Sequence, residues 1–114
     1  MNRHFTVKEL PESEKPYEKC LHYGAEYLSD AELLAVIIRT GTSGKQSIEV
    51  AQEILNRNEK NLLNLYHMSL KDFKEIPGIG TVKAVQMKCL AEITKRMTKA
   101  VRLRSVALNS AESV

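Results

Sequence analysis

The residues best suited to chemistry in this 114-residue chain are Ile76-Pro77-Gly78-Ile79-Gly80, followed at once by helix-forming sequence that carries Lys83. Two glycines spaced by one apolar residue allow a very tight backbone turn. A helix that starts there leaves its first N–H groups without internal partners. The turn is therefore predicted to be an anion cradle, and phosphate is the anion such cradles most often hold. Gly78, Ile79, Gly80 and Lys83 are the primary candidates for the contact. Lys88, or the Lys95, Arg96 and Lys99 group, lies farther along the same predicted helix as outer support. Lys45, after Gly41-Thr42-Ser43-Gly44, is a second candidate at a looser turn of similar kind. Arg39 can reach a phosphate or cap carbonyls of its own helix, and the cap is the favoured role.

Charge placement points the same way. Residues 1–68 carry 8 basic and 10 acidic side chains, whereas residues 69–104 carry 9 basic and 3 acidic ones, within a net charge of +3. The positive excess surrounds the glycine-rich turn and the helix after it, as a phosphate-backbone surface requires. A solvated basic helix is the plainer reading of the same charge.

Other chemistry-bearing residues exclude more than they offer. Cys20 and Cys89 have no CxxC partner and read as reduced thiols of a cytoplasmic protein. His4, His22 and His67 show no metal spacing, so neither metal nor cofactor is expected. No apolar run approaches the ~20 residues that cross a bilayer, and the N-terminus has no signal-peptide core. The segment from Gly41 to Ser47 faintly resembles a nucleotide P-loop. Its first required glycine is Arg39, however, and Gln46 stands where Ser or Thr must follow Lys45, so nucleotide binding is rejected.

The elements that must position the turn read as helices. An irregular arm covers 1–15, and a helix runs from about Pro16 to Tyr23, with Gly24 ending it. Ser29-Asp30-Ala31-Glu32 is a capping box, and Leu28 and Leu33 are placed as its hydrophobic staple. The apolar run Leu33 to Ile38 would suit a buried strand as well, but the cap and Gly41 favour a short buried helix. Ser43 and Gln46 can cap the next helix, which ends near Asn56, with Ile48, Ala51, Ile54 and Leu55 on its apolar face. A short helix is expected over Leu62 to Tyr66 with Asn61 as cap. Another, capped by Ser69 and Asp72, ends at Ile76. The last helix is predicted from Thr81 to about Lys99. Val82, Val85, Cys89, Ile93 and Met97 form its apolar stripe, widened by Leu90, opposite Lys88, Glu92, Lys95 and Lys99. Residues 101–114 read as a linker. The fold class is all-α, a compact bundle of about five helices. Gly41-x-x-Gly44-Lys45 between two helices reads as a degenerate first copy of Gly78-x-Gly80-x-x-Lys83.

Leu70-x-x-Phe73-x-x-Ile76-Pro77-Gly78-Ile79-Gly80-x-x-x-Ala84 resembles the helix-hairpin-helix motif of DNA-binding proteins. Leu70 and Phe73 would pack the first helix on the second, Ile79 would anchor the turn, and Ala84 would let the helices approach closely. The resemblance implies contact with the sugar-phosphate backbone, which positions a protein without specifying sequence. Helix-hairpin-helix glycosylases place a lysine nucleophile where this chain has Val82, and they need a later aspartate. No Asp follows Asp72, so no catalytic residue is assigned.

A wider resemblance rests on Leu10-Pro11-Glu12, Pro16-x-Glu18-Lys19, Gly24, Leu28-Ser29-Asp30-Ala31-Glu32-Leu33-Leu34-Ala35 and Arg39-Thr40-Gly41-Thr42. The chain is similar to the N-terminal domain of RadC-like bacterial proteins, historically labelled DNA repair factors. The resemblance implies a following JAB/MPN-type metalloprotease-like domain as a partner. The metal ligands of that domain are absent from this chain. Its arm also departs from the family's Arg-Pro-Arg-Glu-Lys pattern, with Lys15-Pro16-Tyr17-Glu18-Lys19 in its place. The expected function is non-enzymatic, sequence-independent DNA binding. The alternative is a protein-interaction or regulatory domain whose hairpin only packs helices.

Overall fold

The computed structural model describes residues 15–39 and 44–113, with side chains described for 15–39 and 47–108. The N-terminal arm up to residue 14 and the turn Gly41 to Ser43 lie outside the described residues.

Helix α1 spans Lys15–Tyr23. Pro16 sits in its first turn, where a missing N–H is harmless. Gly24 (φ 102°) closes the helix as its N–H donates to the Cys20 carbonyl at 2.8 Å. A single 3-10 turn over Ala25–Tyr27 leads to Ser29. There the expected capping box forms: Ser29 Oγ accepts from the Glu32 amide at 3.2 Å, and Glu32 Oε1 accepts from the Ser29 amide at 2.8 Å. Glu32 also receives the Lys19 ammonium at 3.2 Å, which ties α1 to the next helix. Burial pushes the Glu32 carboxyl up, but the Ser29 hydrogen bonds and Lys19 outweigh it and hold the group below its usual range.

Helix α2 (Asp30–Ile38) resolves the strand-or-helix ambiguity in favour of helix. It packs most extensively on α3 (Gly44–Leu55). Asn61 Oδ1 accepts from the Leu63 amide at 2.8 Å and opens the turn that becomes α4 (Asn64–His67). The short α5 (Leu70–Lys74) and the long α6 (Thr81–Ser113) complete the order. Every regular element among the described residues is helical, and the expected all-α bundle holds with six helices.

The core joins Leu34, Ala35 and Ile38 of α2 to Val50, Ala51 and Ile54 of α3, around Met68, Phe73 and Ile76. Asn64 is fully buried among these groups. Its Nδ2 donates to the Ile54 carbonyl and its Oδ1 accepts from the Glu59 amide, both at 2.8 Å. Both ends of the amide are thus satisfied, as burial of a polar group demands.

Three expectations fail. Helix α6 does not bury Val82, Val85, Cys89, Ile93 and Met97, of which Val82 is 71% exposed and Met97 62%. It buries Ala84, Met87 and Ala91, which share one face at i, i+3 and i+7. The two alanines let α5 and the rest of the bundle approach more closely than Val or Ile would. Leu70, expected to pack beside Phe73, is 46% exposed. Finally, the helix continues past Lys99 to Ser113. Residues 100–113 hold no Gly or Pro and are rich in Ala, Leu and Arg, so extending an existing helix is favourable there. From Glu92 to Leu108 every side chain is exposed. The helix projects from the bundle, and the molecule measures 57 × 46 × 22 Å.

Candidate nucleic-acid interface

The hairpin begins at the second capping box. Ser69 Oγ accepts from the Asp72 amide at 3.1 Å, and Asp72 Oδ2 accepts from the Ser69 amide at 3.0 Å. These two bonds hold the Asp72 carboxyl below its ordinary range. Helix α5 then closes on Phe73, which is fully buried and whose carbonyl accepts from the Ile76 amide at 3.1 Å. The Ile79 amide donates back to the Ile76 carbonyl at 3.0 Å and completes the turn. The Ile79 side chain is buried and pins the turn to the core.

The two glycines serve different ends. Gly78 adopts φ +98°, and a Cβ placed on it would lie 2.9 Å from Val50 Cγ2. Its absent side chain therefore allows the chain reversal and a close approach to α3. At Gly80 an added Cβ would meet nothing within 4 Å. The Gly80 carbonyl accepts the Ala84 amide at 3.0 Å, the first bond of α6. Helix geometry aims the amides just ahead of Ala84 away from the helix body. The open approach to the α6 N-terminus is thus at Gly80.

Lys83 is half-buried on the first turn of α6. Lys88 has a different task from the outer support expected of it. Its ammonium donates to the carbonyls of Leu65 (3.2 Å), Tyr66 (2.9 Å) and Met68 (2.9 Å), capping the end of α4. A cation at a helix C-terminus is favourable, and this one binds α4 to α6. Arg96 pairs with Glu92 one turn earlier at 2.9 Å and draws its carboxyl below the usual range. Lys95 and Lys99 are exposed on the projecting helix, the latter about 28 Å from Gly80 along the axis. Lys45 lies in the first turn of α3, and its side chain falls outside the described residues.

Sequence reasoning missed two neighbours. Glu49 and Glu53, one turn apart on α3, line a shallow pocket with Val50, Pro77 and Gly78. Their carboxylates would repel an anion on that side of the turn. An acidic i, i+4 pair gives no such signal until α3 is seen beside the hairpin. Arg39 stacks over the Tyr17 ring, with its guanidinium carbon 4.5 Å from the ring centroid. Its Nη1 is enclosed and has no hydrogen-bond partner among the described residues. No group of three metal-binding side chains occurs among the described residues, and no described helix is long and apolar enough to cross a membrane.

Fold and hairpin together define an all-helical domain, consistent with the helix-hairpin-helix resemblance of the sequence. The family model described as UPF0758 N-terminal matches residues 7–85, and the chain belongs to that family, in agreement with the RadC-like resemblance. A UPF0758 protein of Pseudoalteromonas translucida (strain TAC 125) is 43% identical over 105 residues, covering 92% of this chain and 46% of the relative. One from Clostridium botulinum (strain Hall) is 42% identical over 96 residues, covering 84% and 42%. The chain therefore spans less than half the length of these relatives. The matched family model is that of an N-terminal domain. No solved structure matches the chain.

Proposed function

We propose that this domain binds DNA through the sugar-phosphate backbone, without sequence preference. One observation carries the reading: the α6 N-terminus is open at Gly80, while Ile79 beneath it is anchored in the core. A phosphate oxygen at that position would meet backbone N–H groups and the positive end of a 33-residue helix. Lys83 on the first turn adds charge at short range. Lys95 and Lys99 lie too far along α6 to share the same phosphate and would meet neighbouring ones. Lys88 is assigned to the fold, because three carbonyls already surround its ammonium. In the DNA-repair-associated role that the RadC-like resemblance implies, such contacts would hold the protein on DNA at any sequence.

Titration of fluorescent duplex and single-stranded DNA at two salt concentrations tests this. Nonspecific dissociation constants of about 10⁻⁴–10⁻⁶ M near physiological salt are expected, tightening as salt falls. Lys83→Ala should reduce the salt slope by about one. No detectable binding at low salt overturns the proposal.

A second reading, a protein-interaction domain, draws support from an apolar groove of about 550 Å³. Leu33, Ile37, Leu62, Leu63, Tyr66 and Leu90 are among its lining residues. Under that reading, substitutions in the groove abolish the function and Gly80→Ala does not.

A further inference from the structure

The groove does not end at Leu90. Helical spacing carries the same side of α6 outward through Met97, Val101 and Leu108, with Ile93 at its edge. These four are 54–64% exposed, and Ile37 and Leu63 at the inner end are each 47% exposed. Thr94 and Arg104 interrupt this line, but so many exposed apolar side chains along one side of a helix are unusual on a finished exterior. The helix beneath its outer half is also thinly supported: Thr94 meets the Tyr66 hydroxyl at 2.7 Å, and every side chain from Glu92 to Leu108 is exposed. A lone helix of that length is marginal in water.

Charge and chain position narrow the occupant. Residues 92–108 carry five basic side chains and one acidic one. Of these, Arg104 lies near the apolar side, about 40° from Leu108 around the axis, so two α6 helices paired there in parallel would set Arg104 against its own copy. The family match is to an N-terminal domain, and more than half of each relative's length lies outside the matched region. Helix α6 is the last element before that remainder. Lys95, Lys99 and Arg102 lie on the opposite side of the helix from Met97 and Val101, so a cover over the apolar side leaves them exposed.

We propose that the α2–α4 groove and the apolar side of outer α6 form one seat for the folded C-terminal half carried by the family's longer members. The occupant must present an apolar patch. It closes over Met97 and Val101 and turns α6 from a bare projection into an interface helix. The seat is separate from the Gly80 turn, and its occupation does not depend on DNA binding.

Hydrogen exchange without DNA tests the seat in two pairs of proteins. One pair is this chain and this chain continued into the C-terminal half of the Pseudoalteromonas translucida relative. The other is that relative at full length and its own N-terminal piece. With the C-terminal half joined, amides of residues 97–108 and of the aligned helix should exchange at least about tenfold more slowly. In the joined protein, Met97→Ser with Val101→Ser should remove this protection, and Lys95→Ser with Lys99→Ser should keep it. Unchanged exchange in both pairs overturns the proposal. So does equal loss in the two double variants, or a dimer of the joined protein that the Met97 and Val101 changes dissociate in sedimentation. A failure of DNA titration leaves these readouts untouched.

Discussion

Replacing each hairpin glycine by alanine should give opposite results in two assays. At Gly78 the backbone sits at φ +98°, where an L side chain is strained by about 1–3 kcal/mol. The new methyl would also lie 2.9 Å from Val50 Cγ2, which is held in the core. Gly78→Ala should therefore lose about 2–3 kcal/mol of stability, near the upper part of that strain range. For a domain of this size that lowers Tm by about 10 °C. At Gly80 the methyl meets nothing within 4 Å. The remaining effect is the weaker preference for Ala at a helix N-cap, under about 1 kcal/mol. Under the proposed function, however, the same methyl would occupy the space through which a phosphate would reach the α6 amides. Gly80→Ala should weaken DNA binding about tenfold, equivalent to ~1.4 kcal/mol, while melting within a few degrees of the parent. Thermal melts followed by circular dichroism and DNA anisotropy on the same samples read both effects. Equal destabilisation at the two positions would refute the division of labour between the glycines. Parental stability together with parental DNA affinity in Gly80→Ala would refute the cradle.

Other perturbations probe the supports of the hairpin. Lys88→Met removes a charged donor from three carbonyls and should lower unfolding stability by about 1.5–3 kcal/mol in urea titrations, with little change in the salt slope of DNA binding. Asn64→Leu leaves the Ile54 carbonyl and the Glu59 amide without their partner and should destabilise by about 2–3 kcal/mol by the same measurement. The Glu32 and Asp72 carboxyls both titrate below their ordinary range in the folded protein. Their contribution is therefore complete above the ordinary carboxylate pKa of about 4 and is lost as pH falls through the lower folded values. Unfolding midpoints should be flat in this respect from pH 7 to 5 and fall below it, and Ser29→Ala with Ser69→Ala should shrink that acid-side fall.

The parts legible in the sequence are those whose physics is local. Both capping boxes need only four consecutive residues, and both form as spaced. The Pro-Gly-Ile-Gly turn is likewise readable, because its conformation follows from glycine and from the burial of one isoleucine. The face of α6 is not. Alanine carries little weight in an apolar stripe, so Val82, Val85, Cys89, Ile93 and Met97 outweigh Ala84, Met87 and Ala91 on paper. Close packing then selects the smaller side chains. Lys88 reads as one of several basic residues, and only the meeting of α4 with α6 turns it into a cap. Asn64 looks like a turn residue until Ile54 and Glu59 are seen around it. The outer turns of α6 were unreadable for another reason: Val101-Arg102-Leu103-Arg104 alternates like a strand, while the helix already formed before it continues through.

The uninterrupted course of α6 has a mechanical consequence. Between Thr81 and Ser113 it contains neither glycine nor proline, so it has no built-in hinge. The hairpin at one end and the apolar side at the other are locked in rotational phase, as points on one shaft. Each residue advances that phase by about 100°. A one-residue insertion near Thr98 would therefore swing Val101 and Leu108 about a quarter-turn around the axis while leaving the hairpin in place.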